Sequence, residues 1–213
     1  MTDNAWERVW VDRDREKADW NGYEACFESD ESYRSFVDQA TETVASILKV
    51  GTDDNVLDLG CGTGRLSLAM SNYAATVTGL DFSPAALAVA RRTRSSDRVR
   101  YRQGDLNTMD LDDLRGFNKA FAFGAFLYLK DVSRVERILR ALVGAGTDVL
   151  ALDMPDARIP DGRARDYDRD AYPHLAFTVE QIRSWFPRAA FYRDLFPDYA
   201  NNEHRFAVHV RAE

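Results

Sequence analysis

Asp58-Leu59-Gly60-Cys61-Gly62-Thr63-Gly64 is the stretch of this chain best suited to hold a charged small molecule. Three glycines at alternate positions let a ligand touch the backbone and permit the positive φ of a tight turn. A helix beginning at Arg65 turns its electropositive N-terminus toward the loop, an anchor for an anionic group. Asp58 supplies the opposite charge close by. A ligand that suits both carries a carboxylate and a cation together, as an amino acid does. A dinucleotide-binding turn needs its third glycine one place later, where this chain has Arg65. Asp81, about 20 residues past the loop, ends a strand where a carboxylate can accept hydrogen bonds from both hydroxyls of a ribose.

The elements that carry these residues alternate. Short apolar runs predict strands at 56–59, 75–80, 99–103, 120–123 and 149–152, and helical spacing occupies 65–73, 85–93 and 132–143. Ser83-Pro84 is a helix start with proline just inside it. Asp81, Gly104-Asp105, Gly124 and Asp153-Met154-Pro155 follow the second to fifth strands. Such alternation predicts βαβ units and a mainly parallel sheet. The runs 189–195 and 206–211 have only a loop between them, with no room for a crossover helix, so they are expected to pair antiparallel. The whole is read as an α/β chain with a mainly parallel seven-stranded sheet, a C-terminal antiparallel strand and helices on both faces. Before it, Trp6, Trp10, Trp20, Tyr23, Phe27, Tyr33 and Phe36 mark an aromatic N-terminal helical cap, and Phe36, Ala40, Val44, Ile47 and Leu48 keep one helical face apolar. One domain is expected over 1–213, with the cap at 1–50 and the core at 51–213; residues 158–170 read as an exposed loop or lid.

The run from Val56 to Leu66, G-x-G-x-G with an acid two places before its first glycine, resembles motif I of the class I S-adenosylmethionine-dependent methyltransferases. The resemblance implies a Rossmann-like fold and S-adenosyl-L-methionine as cofactor, held by Asp58, Gly60, Cys61, Gly62 and Gly64. It implies further that Asp81 grips the ribose with Phe82 beside the adenine. Asp105 would meet the adenine amine, the Leu106 amide a ring nitrogen, and the backbone at Gly124 and Ala125 the methionine ammonium. Taken alone, Asp81 and Asp105 suit a cap or a turn; joined to the glycine loop at this spacing, they read as ligand-binding.

Transfer to a hydroxyl needs a base, whereas an amine need only be neutral and aligned. The candidate catalytic residues are His174, just after the lid, Asp153 after the fifth strand, and Tyr128. The aromatic cap either shapes an apolar acceptor pocket opposite Tyr128, Tyr167 and Tyr172 or, the favoured reading, simply packs onto the sheet. Asp156 is a further carboxylate at that edge. His209, inside the last strand, reads as structural, and His204 lies in the loop before it. Leu127-Tyr128-Leu129 stands where many of the resembled small-molecule enzymes carry histidine. Gly124-Ala125-Phe126-Leu127 also departs from the Asn/Asp-Pro-Pro-aromatic pattern of enzymes acting on nucleic-acid amino groups. The leading expectation is O- or N-methylation of a small molecule. Its rivals are a protein or RNA acceptor docked on an arginine-rich stretch, a nucleotide-dependent oxidoreductase, and a cofactor-binding scaffold without turnover. Arg65 and the absence of any Tyr-x-x-x-Lys pair count against the oxidoreductase.

A net charge of −7 argues against a surface that tracks phosphates, so nucleic acid is not an expected partner. The exception is local: Arg91, Arg92, Arg94, Arg98, Arg100 and Arg102 fall within one short stretch, read as a solvated face whose cations at the helix end oppose its dipole. Two cysteines, Cys26 and Cys61, form no metal-ligand spacing, and no metal is expected. No apolar run nears the ~20 residues of a membrane span, and the first residues lack a signal-peptide pattern; a cytoplasmic protein is expected. Nothing in the pattern sets an oligomeric state.

Overall fold

The computed structural model describes residues 30–159, 174–199 and 201–212. Trp6, Trp10, Trp20, Tyr23, Cys26, Phe27, Tyr167 and Tyr172, and all but the start of the expected lid, lie outside the described residues.

The elements run α1 (Asp30–Leu48), β1 (Asn55–Leu59), α2 (Arg65–Met70), β2 (Thr76–Asp81), α3 (Pro84–Thr93), β3 (Val99–Gln103), β4 (Lys119–Phe123), α4 (Val132–Gly144), β5 (Asp148–Pro155), α5 (Val179–Trp185), β6 (Ala190–Tyr192) and β7 (Arg205–Val210). Short 3₁₀ turns occupy Leu111–Leu114, Phe126–Tyr128 and Asn202–His204. The seven strands form one sheet in the order β3-β2-β1-β4-β5-β7-β6, parallel from β3 to β5, with β7 antiparallel to both its neighbours. This is the Rossmann-like α/β arrangement expected, including the antiparallel pairing of the last two strands.

Near-continuous apolar runs make strands buried on both faces. On one face Leu57, Leu59, Ala120, Ala122, Val149 and Ala151 meet Val135, Ile138, Leu139 and Leu142 of α4. On the other, Val56, Phe121, Phe123, Leu150 and Leu152 meet Phe36, Ala40, Val44 and Leu48 of α1. Phe36 also joins Phe123, Phe196 and Tyr199 in an aromatic cluster with ring centroids 5.4 Å from each. Ser83 caps α3 by accepting from the Ala86 amide, and Asp131 caps α4 by accepting from the Arg134 amide.

Three boundaries differ from the sequence reading. The helix after the glycine loop ends at Met70 rather than at 73, giving way to turns. β5 continues past 152 to Pro155 because a bulge, with Asp153 at φ 58°, restores pairing of Met154 with Phe206. β6 is cut to three residues, with Asp194 at φ 55° turning the chain away. α5 had no counterpart in that reading.

The chain steps outward from β1 through β2 to β3, then returns to the other side of β1 to lay down β4 and β5. The order therefore reverses between β1 and β4. Ligands of open α/β sheets bind in the crevice beyond the carboxyl ends of the strands at such a switch.

Candidate active site

At that switch the β1–α2 loop turns through Gly60, Gly62 and Gly64, all in the left-handed region. Two of them have different reasons to lack a side chain. A Cβ on Gly60 would stand 2.5 Å from the Cβ of Ala125, so this glycine lets the loop close against the segment after β4. Around Gly62 nothing lies within 4 Å of where a Cβ would be, so the backbone there borders open space. The Gly60 and Cys61 amides donate to the Leu80 carbonyl at 2.8 and 3.0 Å, pinning the loop to β2.

Asp81 bridges the two loops that frame the crevice. Its Oδ2 accepts from the Gly62 amide at 2.8 Å and its Oδ1 from the Ser83 amide at 2.9 Å. Phe82, half-buried, follows it directly. Asp58 is buried, and the Ser67 hydroxyl donates to its Oδ2 at 2.5 Å. Burial pushes the Asp58 carboxyl up, Ser67 opposes the rise and the charge of Asp81 adds to it, leaving a pKa of about 7. A carboxyl so poised ionises readily beside a cation. Burial also pushes the Cys61 thiol up, with Asp81 and Asp58 adding to it, so Cys61 is a protonated packing group rather than a nucleophile. Its Sγ stands 2.8 Å from where a Cβ on Gly79 would be, under the loop.

Thr63 was missed by the sequence reading. It is 3% exposed, and its hydroxyl has no hydrogen-bond partner. The available signal was its position: the only hydroxyl inside the glycine loop.

After β3, Asp105 shapes a turn. Its Oδ1 accepts from the Asn107 backbone and side-chain amides at 2.8 and 3.2 Å, and its Oδ2 from the Thr108 hydroxyl at 3.2 Å. Leu106 is buried beneath it. Gly124, at φ 60°, ends β4, and Ala125 leads into the 3₁₀ turn that carries Tyr128.

Two of the three candidate catalytic residues come together. The Tyr128 and His174 rings meet edge-on, centroids 5.1 Å apart, although 45 residues separate them in sequence. The Leu175 amide donates to the Leu127 carbonyl at 2.8 Å and fastens their two segments. Asp153 is differently engaged: buried at the β5 bulge, it accepts from Arg205 Nε at 3.1 Å and from the Tyr199 hydroxyl at 3.3 Å. Asp156, also buried, accepts from Arg158 and Arg193. Burial alone would raise its carboxyl, but those guanidinium contacts outweigh it and hold the group well below the usual carboxylate range. His209 is buried in β7 with both ring nitrogens unpartnered, and His204 lies in the 3₁₀ turn before it. Among the described residues no group of three His, Cys, Asp or Glu side chains is arranged to hold a metal, and no helix is long and apolar enough to cross a membrane.

A family model described as a methyltransferase domain matches residues 56–146, from the first buried residue of β1 to just past α4. The matched stretch contains the glycine loop, Asp58, Asp81, Asp105, Gly124 and Tyr128. The chain is 38% identical over 96 residues to the ubiquinone biosynthesis O-methyltransferase of Pseudomonas aeruginosa, which covers 44% of this chain and 41% of that protein. It is 23% identical over 135 residues to a sterol 4-C-methyltransferase of Caenorhabditis elegans, covering 62% of this chain and 38% of the relative. The chain thus spans about two fifths of the length of these curated relatives. The fold matches that of the N-methyltransferase NodS of Bradyrhizobium japonicum, solved with S-adenosyl-L-homocysteine, with a TM-score of 0.65 at 15% identity over 95% of this chain and 98% of that one.

Proposed function

We propose that this chain is an S-adenosyl-L-methionine-dependent methyltransferase acting on an oxygen or nitrogen atom of a small-molecule acceptor. The observation that carries the reading is the glycine loop at the β1–β4 switch with Asp81 bridged across it, inside the matched methyltransferase domain.

The residues present fit that cofactor. The open space over Gly62 leaves room for a ligand against the backbone, and the orphaned Thr63 hydroxyl is a polar group waiting for a partner. Asp58, Gly60, Gly62 and Gly64 would hold the methionine end, Asp81 and Phe82 the ribose and its flank, Asp105 and the Leu106 amide the adenine. The backbone at Gly124 and Ala125 would face the ammonium. S-adenosyl-L-methionine supplies a methyl group on a sulfonium, which leaves as a neutral thioether on in-line attack.

The chain's own part is alignment and exclusion of water, for which effective molarities are worth up to roughly 7–11 kcal/mol. Asp58 offers a carboxylate to the cation. Tyr128 and His174 line the acceptor side, where an imidazole can take the proton of a hydroxyl acceptor and the phenol can orient it. Asp153, engaged with Arg205 and Tyr199, supports that edge rather than moving a proton. The names of the two curated relatives, a sterol and a ubiquinone-pathway enzyme, favour a small acceptor, as does the net charge of −7.

Calorimetric titration with S-adenosyl-L-methionine, S-adenosyl-L-homocysteine and NAD in parallel tests the cofactor. Micromolar binding of the first two without NAD is expected, followed by methylation within a panel of phenols, carboxylates and amines. Binding of NAD alone overturns the proposal. Cofactor binding with no turnover on any acceptor would leave a scaffold instead.

A further inference from the structure

We infer that Arg134, on α4, is the positioning residue for the turn that would receive the adenine; this rests on the reading of Asp105 and the Leu106 amide given above. Arg134 is remote in sequence from that turn, yet its Nε donates to the Leu106 carbonyl and its Nη2 to the Met109 carbonyl, each at 2.6 Å. Both are short, charge-assisted bonds from one planar fork.

The turn needs an outside anchor. It lies between β3 and the Leu111–Leu114 turn and has no ladder to hold it. Its internal bonds, from Asp105 to Asn107 and Thr108 and from the Met109 amide to the Asp105 carbonyl, set its shape. They do not set where it stands relative to the sheet. The Gly104 amide, donating to the Asp81 carbonyl at 2.9 Å, ties its start to β2, and α4 holds the rest: Arg134 binds the Leu106 and Met109 carbonyls, and the Lys130 amide, just before the helix, donates to Asn107 Oδ1 at 2.9 Å.

The clamp acts one peptide away from the proposed ligand contacts. Holding the Leu106 carbonyl fixes the peptide that follows Leu106, and so limits rotation of the peptide that carries its amide. Asp105 is held with it, and its carboxylate attracts the Arg134 guanidinium. Arg134 is itself held, its amide bonded to Asp131 Oδ1 at 2.7 Å in the first turn of α4. A lysine, with a single ammonium on a flexible stem, cannot serve two carbonyls in fixed register. Arg134 therefore lowers the cost of ordering the turn when the adenine arrives.

The test is calorimetric binding of S-adenosyl-L-homocysteine and of adenosine to the whole chain and to Arg134→Ala, Arg134→Lys, Asp105→Ala and the Arg134→Ala/Asp105→Ala double variant. Arg134→Ala is expected to weaken both ligands by the same factor, about tenfold, with Arg134→Lys in between. The double variant is expected to lose clearly less than the product of the two single losses, because Arg134 acts in part through Asp105. A merely structural arginine would instead lower thermal stability and leave the affinity of the folded fraction unchanged. If the wild-type chain binds and Asp105→Ala weakens it, but Arg134→Ala and Arg134→Lys do not, the inference falls and the site reading stands. Fully multiplicative losses in the double variant also overturn it. If the wild-type chain does not bind, or Asp105→Ala has no effect, the adenine assignment itself fails and takes the inference with it.

Discussion

Gly60 and Ala125 stand so close that a methyl group on the glycine would sit 2.5 Å from the methyl of the alanine. That contact joins the loops after β1 and β4 across the switch point, and it separates two glycines that look equivalent in sequence. Gly60→Ala is expected to destabilise the fold by ~2–4 kcal/mol, from overpacking plus a left-handed alanine. Pairing it with Ala125→Gly recovers the packing part. Gly62→Ala meets no atom and should cost only ~1–2 kcal/mol of stability. Its methyl group, however, occupies the space left for the cofactor, so S-adenosyl-L-homocysteine binding is lost. Thermal melts beside titrations separate the two; equal behaviour of the two variants would refute the division of roles.

Cofactor affinity is expected to depend on pH through Asp58. With a pKa of about 7 in the free protein, Asp58 is protonated in mild acid and cannot face a cation without releasing that proton. Affinity should fall by about tenfold per pH unit below 7 and level off above it. Asp58→Asn should flatten the profile and weaken binding at pH 8.

The same carboxyl affects stability in the opposite sense. Its folded pKa lies above the unfolded value near 4, so its contribution is full below about pH 4 and is lost as pH rises through 7. Ligand-free Asp58→Asn should therefore melt higher than wild type at pH 8, by an amount on the order of 2–4 kcal/mol, and the gap should close toward pH 4. A variant no more stable than wild type at pH 8 would contradict the burial argument.

Asp81→Ala should weaken cofactor binding by more than tenfold, on the order of 3 kcal/mol, because two ribose bonds to a charged acceptor are lost. The same change releases the Gly62 and Ser83 amides, so folding must be checked by circular dichroism. Unchanged affinity in a folded variant removes the ribose assignment.

His209 is 3% exposed with neither ring nitrogen partnered, and burial, with Arg211 adding, holds its pKa below 6.5. The folded state thus keeps it neutral: the stability it contributes is full above pH 6.5 and is lost as pH falls below it. His209→Leu should stabilise the protein by about 1 kcal/mol at pH 8, and by more at pH 5. Melting temperatures at the two pH values check this; a fixed difference would mean that His209 does not titrate across the transition.

Most of the sheet could be read from the sequence because its strands announce themselves locally. Val56–Leu59, with glycines behind it, leaves few alternatives, and the observed bounds of β1 to β4 lie within one residue of those expected. The residues proposed to cradle the cofactor could be named for the same reason, since they follow strand ends. α5 was overlooked although Thr178 and Gln181 carry a capping signature, the Thr178 hydroxyl accepting from the Gln181 amide at 3.0 Å. Seven residues are too few for helical periodicity to stand out. The meeting of Tyr128 with His174, the Asp153–Arg205 pair and the Arg134 clamp join distant segments. No local pattern encodes them; they follow from which strands end up adjacent.

The placement of β7 bears on how the molecule is made. Although last of the seven strands in the chain, it lies between β5 and β6, and all its residues are buried. During synthesis β5 emerges with one long edge bare and β6 emerges with nothing to pair with. The nascent chain must keep both waiting until β7 arrives to close the gap, some 50 residues after β5. Such late, non-local closure slows folding and leaves an adhesive strand edge exposed meanwhile. Ribosome-bound chains halted before β7 should therefore be the species most in need of a chaperone.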